Sequence, residues 1–227
     1  MLKLINILVL CGISSLASFA QEVYLVNAAS VPEISVSIDG QPFYPHFPQG
    51  LYTAGSATHT EKVGYKIQAP FSGANRTLTA SFAPHSRQAA VIYGDFSPLA
   101  EPHSKRKTST PNVKLFPLDF ALAKNEARLR YRVVNLLPGQ TLRLAVDSGP
   151  VEIPFEQSFA ISGQKPLATL TVRIGETDIP VLIRQRRVLR NCDIVFYPDA
   201  NGEIRFIRFF EPNPDANDET DESIPEE

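Results

Sequence analysis

A chain of 227 residues has room for one large or two small domains, and 43% hydrophobic residues supply material for real cores. Trp is absent, Met occurs only at position 1, and 19 Pro are scattered through the body, which suits short strands and turns better than long helices. The formal net charge of −2 hides an uneven distribution, because one end of the chain is strongly acidic and the rest is mildly basic.

The first segment reads as a signal peptide over residues 1–20. Lys3 gives a positive start, residues 4–16 form a mostly apolar stretch, and Ser18-Phe19-Ala20 places small residues at −3 and −1 of a cleavage site. Cleavage there leaves Gln21 as the mature start and predicts a periplasmic or secreted protein. The apolar run is short for a membrane span, and polar sequence follows it at once, so no transmembrane segment is expected after cleavage. Cys11 does not make a lipobox, because Leu10 precedes it where a small residue is required.

Two copies of one pattern follow. The first opens Val23-Tyr24-Leu25-Val26-Asn27 and continues through Ile34-Ser35-Val36-Ser37-Ile38-Asp39-Gly40. The second opens Tyr131-Arg132-Val133-Val134-Asn135 and continues through Leu142-Arg143-Leu144-Ala145-Val146-Asp147. Asp39 stands twelve residues after Asn27, and Asp147 stands twelve after Asn135. The alternation between these anchors is that of half-buried strands, whose successive side chains face opposite sides. Asn and Asp at the strand ends favour turns by bonding nearby backbone.

The far ends of the copies also agree. Arg87-Gln88-Ala89-Ala90-Val91-Ile92-Tyr93-Gly94-Asp95 matches the stretch from Arg190 through Cys192 and Tyr197 to Asp199. Asp199-Ala200-Asn201-Gly202 then signals a hairpin before an alternating last strand. These features predict an all-β chain of two tandem Ig-like antiparallel β-sandwich domains, of seven strands or somewhat fewer, produced by internal duplication. The domains span residues 21–97 and 128–210, with a linker over 98–127 whose apolar stretch 115–122 packs along a domain or between the two. Residues 211–227 hold eight acids and no Lys or Arg, and read as a disordered acidic tail. Setting aside that tail and Lys3 leaves 21 basic against 16 acidic residues in the mature body.

Chemistry-bearing motifs are sparse. Cys192, the only cysteine after cleavage, alternates with apolar neighbours and reads as a buried hydrophobe. Ser162-Gly163-Gln164-Lys165 fits a Ser-x-x-Lys pattern without its companion motifs, and Gly94-Asp95-Phe96-Ser97 closes a strand. His46, His59, His85 and His103 lack the close spacing of a zinc site, and no Gly-rich phosphate loop follows any strand. The sequence therefore points to no catalytic residue, no metal and no cofactor. Lys105-Arg106-Lys107 and the run bearing Arg184, Arg186, Arg187 and Arg190 are basic clusters. Each cluster suits a solvated loop; the four arginines are the candidate anion-binding residues, since guanidinium forks suit carboxylates and sulfates. An exported protein without interleaved aromatics is not expected to bind nucleic acid; an acidic polysaccharide, a lipid headgroup or an acidic envelope protein suits the compartment as partner.

The openings at residues 23–40 and 130–147 resemble a secreted bacterial domain of unknown function, a strand, a Pro-containing turn and a strand ending in Asp-Gly. The second copy has Asp147-Ser148-Gly149 at that point. Duplicated behind a signal peptide, the layout is also similar to the family of periplasmic accessory proteins of alginate O-acetylation. The resemblance implies a non-enzymatic accessory or binding protein of exopolysaccharide modification or export, built of Ig-like sandwiches. A structural or assembly protein of the envelope, such as an adhesin, is the alternative.

Overall fold

Short runs that alternate in polarity, broken by Gly, Pro and Asx residues, leave the backbone little choice but strands and turns. The computed structural model describes residues 21–53, 56–58, 62–69, 75–81, 87–96, 112–120, 129–147, 149–163, 167–183 and 191–211. The first repeat contains β1 (Gln21–Ala29), β2 (Glu33–Ile38), β3 (Gln41–Pro48), β4 (Ser56–Thr58), β5 (Lys62–Gln68), β6 (Asn75–Ser81), β7 (Arg87–Asp95) and β8 (Asn112–Asp119). The second contains β9 (Leu129–Asn135), β10 (Leu142–Val146), β11 (Gly149–Ile153), β12 (Gln157–Gly163), β13 (Thr169–Ile174), β14 (Thr177–Leu182), β15 (Cys192–Pro198) and β16 (Ile204–Phe210).

Each repeat is a β-sandwich of two four-stranded sheets. The sheet orders are β4-β1-β7-β8 and β3-β2-β5-β6 in the first, and β12-β9-β15-β16 and β11-β10-β13-β14 in the second. The second repeat reproduces the first strand for strand. Val23 and Leu25 point into the first core, and Tyr131 and Val133 point into the second from the matching places.

Three expectations need correction. Among the described residues each sandwich has eight strands. Neither is wholly antiparallel, because β1 runs parallel to β7 and β9 parallel to β15. The paired strands are far apart in sequence, so no tight hairpin constrains their direction. The segment read as a linker contains β8, which pairs antiparallel with β7 from Gln88–Asp119 to Asp95–Asn112. The first repeat therefore extends to Phe120.

A third apolar cluster lies between the repeats. Val26, Ala28, Val91, Tyr93 and Leu118 meet Val134, Leu136, Val195, Tyr197 and Phe209 there, all buried. Val26 matches Val134, Ala28 matches Leu136, and Val91 matches Val195 in the duplication. The two repeats thus use the same face toward each other, as identical subunits do across a two-fold axis. Tyr52 and Phe120 stack near Phe209, with ring centroids 5.7 and 6.4 Å away.

Candidate functional site

Among the described residues a cluster of two arginines and two carboxylates stands at one end of this inter-repeat face. β9 sends Tyr131 and Val133 into its own core, so Arg132 faces the other repeat. In the parallel register Arg132 lies beside Asp193 of β15. Its guanidinium forms a bidentate pair with the fully buried Asp193, Nε to Oδ1 at 2.6 Å and Nη2 to Oδ2 at 2.9 Å. Its Nη1 donates to the carbonyl of Asp119 at 3.0 Å, tying the second repeat to the end of β8.

Glu211 completes the cluster. It accepts from Arg130 Nη2 and, at 2.9 Å, from Asn191 Nδ2, while Asn191 Oδ1 accepts the Arg130 N–H at 2.8 Å. Glu211 was expected to begin a disordered tail, but its side chain is buried and its N–H donates to the Asn191 carbonyl. Two arginines and two carboxylates leave the group electrically neutral. Burial pushes the Glu211 carboxyl up, with Asp193 adding to the effect, against the N–H groups of Asn191 and Arg130. In the first repeat the positions of Arg132, Asp193 and Glu211 are taken by Tyr24, Ala89 and Phe120. Tyr24 and Phe120 stack at 5.5 Å where the second repeat has ions.

A second polar contact joins the repeats at the turn between β11 and β12. Glu156 Oε1 accepts from Tyr93 Oη at 2.9 Å and from Lys114 Nζ at 2.5 Å. The Lys114 and Tyr93 donors hold its carboxyl below the usual range. Its backbone is left-handed, with φ at 60°. Gly50 occupies the equivalent place in the first repeat at φ 83°, and a Cβ there would stand 3.2 Å from Tyr197 Oη. A shallow depression of about 310 Å³ beside the Glu156 turn is lined by Glu152, Ile153, Pro154, Phe155, Gln157, Ser158 and Phe159.

The predicted site residues fare differently. Arg184, Arg186, Arg187 and Arg190 lie outside the described residues, as do His59, His85, His103, Lys165 and the cluster Lys105-Arg106-Lys107. What the structure places are the two roots of the arginine-bearing connection. At one root the Ile183 N–H donates to the Ala168 carbonyl at 2.8 Å, and Arg208 Nη1 donates to the Leu182 carbonyl. At the other root Asn191 is bound on both sides into the ion cluster. Cys192 is buried, and burial, with Asp193 second, pushes its thiol up to about 12, so it is no nucleophile at neutral pH. His46 is exposed and its Nδ1 lies 2.9 Å from Glu33 Oε1. Among the described residues no group of three or more His, Cys, Asp or Glu could hold a metal ion, and no helix is long and apolar enough to cross a membrane.

The ion cluster was not foreseen from sequence. Its signal was present in β9 and β15, where apolar residues occur on both parities, as in Val133-Val134 and Ile194-Val195-Phe196-Tyr197. Strands of that kind are buried on both faces, so Arg132 and Asp193 had to be buried as a pair. No protein-family model and no curated protein matches the chain.

Proposed function

We propose that this chain is an exported, non-enzymatic binding or accessory protein that presents the basic connection between β14 and β15 to an acidic polysaccharide or envelope partner. One observation carries the reading: both roots of that connection are held by the fold, at Ile183 through Ala168 and at Asn191 through Arg130 and Glu211. Arg184, Arg186, Arg187 and Arg190 all fall between these fixed points. Fixed roots lower the ordering cost of a binding loop. The neutral ion cluster uses its own arginines internally, whereas four arginines fall together in the connection. The resemblance of residues 23–40 and 130–147 to exopolysaccharide accessory proteins agrees with this reading, as does the signal-peptide pattern.

Retention on an immobilised acidic polysaccharide at low ionic strength tests it. The wild type should be retained, retention should fall steeply with added salt, and Arg186→Ala with Arg187→Ala should elute earlier. Equal retention of both proteins, or of neither, removes the proposal. A role as a structural or assembly protein is the second reading, favoured by the place of β16 at the end of its sheet's strand order among the described residues.

A further inference from the structure

The duplication provides an internal standard, since donors that one repeat offers at the shared face have counterparts in the other. In one half these donors are occupied. Tyr93 of β7 stands directly opposite Lys114 of β8, so both side chains leave the sheet on the same side. Together they hold the Glu156 carboxylate of the other repeat, at 2.9 and 2.5 Å. In the other half Tyr197 of β15 stands directly opposite Arg205 of β16. The turn they face carries Gly50, whose N–H donates to the Asn27 carbonyl as that of Glu156 donates to the Asn135 carbonyl. A Cβ on Gly50 would lie 3.2 Å from Tyr197 Oη, so this phenol is aimed at its turn as Tyr93 is, but here the turn supplies no carboxylate.

Two donors are left over. Tyr197 is only 4% exposed, yet its hydroxyl has no hydrogen-bond partner among the described residues, a deficit that a ligand can relieve. Burial pushes this phenol up, against the pull of Arg205 and with Asp199 adding, so it keeps its proton and can donate. Arg205 donates from Nε to Asp199 Oδ2 at 3.0 Å and from Nη2 to Glu203 Oε2 at 2.7 Å, while its Nη1 has no such partner among the described residues. Asp199 is tied in turn to the N–H groups of Asn201 and Glu203. The Glu203 side chain is 64% exposed, and an exposed pair of this kind is weak enough to yield. In the first repeat the place of Glu203 is held by the neutral Asn112, opposite Asp95. With the Arg205 side chain 56% exposed and no side chain on Gly50, a small ligand has a route to the phenol.

We propose that Tyr197 and Arg205 form a seat for the carboxylate of a small organic acid, which takes beside Gly50 the place that the Glu156 side chain takes in the other half. Charge-assisted hydrogen bonds from the hydroxyl and the guanidinium supply the recognition, and a neutral amide of the same shape forfeits that strength. The seat lies at the opposite end of β15 from Asn191, so it does not rest on the reading of the arginine-bearing connection.

Propionate, the side chain that Glu156 has and Gly50 lacks, is the probe. It is titrated into the full chain at constant ionic strength, with propionamide as the uncharged control and backbone amide shifts as the readout. Saturable shifts should appear at residues 49–51 and 197–205 with propionate and not with propionamide. Tyr197→Phe, which deletes only the hydroxyl, should weaken binding roughly fivefold or more. Glu203→Asn, which installs the residue of the first repeat, should tighten it several-fold. Gly50→Glu, which supplies the carboxylate within the chain, should abolish it. If Gly50→Glu does not fold, the other two variants decide. Binding that propionamide reproduces, binding that Tyr197→Phe leaves unchanged, or shifts confined to Ile183 and Asn191 beside the arginine-bearing connection would each overturn the proposal, as would the lack of any saturable shift in Glu203→Asn.

Discussion

Asn27 and Asn135 show how single side chains fix this fold. Each is fully buried, and each Oδ1 accepts the N–H two residues on, from Ala29 at 3.1 Å and from Leu137 at 3.0 Å. Each Nδ2 reaches across to the opposite sheet, to the Phe47 carbonyl at 2.7 Å and the Ile153 carbonyl at 2.8 Å. Asn135 also donates to the Gln140 carbonyl at 2.9 Å. An asparagine at or within two residues of the end of the first strand of each sandwich thus staples one sheet to the other. Asn135→Ala leaves one buried N–H and two carbonyls without these partners, at a cost of about 3 kcal/mol. Asn135→Asp should do no better, since a carboxylate cannot donate to the carbonyls. Urea denaturation checks both, and a loss under about 1 kcal/mol for the alanine variant would refute the stapling role. The turn-forming half of this was legible from residue type and position. The cross-sheet half was not, because it depends on Phe47 and Ile153 being brought over the strand end by pairings distant in sequence.

Turns and strands reveal where the repeats diverged for a reason. The left-handed place after β3 is held by Gly50, the residue with no Cβ penalty there, whereas the same place after β11 is held by Glu156 at φ 60°. A non-glycine residue in that region costs on the order of 1 kcal/mol and persists only where something compensates. Here the compensation is the grip of the Glu156 carboxylate on Tyr93 and Lys114 of the other repeat. Glu156→Ala loses the grip and keeps the strain, while Glu156→Gly loses both. Glycine should therefore be the more stable of the two variants, by roughly 1 kcal/mol, the reverse of the usual order. Acid should act on the wild type at the same place. Because the folded-state value lies below the ordinary 4.5, the contribution is complete above that pH and is lost as pH falls through the lowered folded value. Thermal midpoints recorded across the acid range should show a loss in the wild type that is smaller in Glu156→Gly. The proline count is likewise an element-scale fact. Apart from Pro198 at the end of β15, the described strands carry proline only on the edges β3, β8, β11 and β14, where it discourages stray pairing. The number of prolines pointed to strands and turns; which strands were edges could be known only from the pairing.

At the scale of the whole molecule, the sandwiches are joined by a buried face and not merely by covalent linkage. Alternation along Val23-Tyr24-Leu25-Val26 reveals one buried parity and hides the second, because a strand covered on both sides has no polar face to mark it. That is why the two cores were readable in the sequence and the third cluster was not. The energetic consequence can be tested. Val134 and Val195 are fully buried between the repeats, and their neighbours Val133 and Ile194 serve the second sandwich's own core. Burying a valine contributes about 1.5–3 kcal/mol, so several matched apolar residues on each side couple the two repeats by more than either could lose without unfolding. The wild type should accordingly unfold in one transition, with calorimetric and van't Hoff enthalpies in agreement. Val195→Asp places a carboxylate in that face while leaving Ile194 and Phe196 to hold the second core. An unpaired buried charge costs several kcal/mol, and the protein can avoid it by letting the repeats part. The expected result is two separated transitions with native-like strand content retained below the first. A matched substitution inside one sandwich, Ile194→Asp, should instead abolish that repeat's folding. A single undisturbed transition for Val195→Asp would show that the repeats fold independently of the face they share.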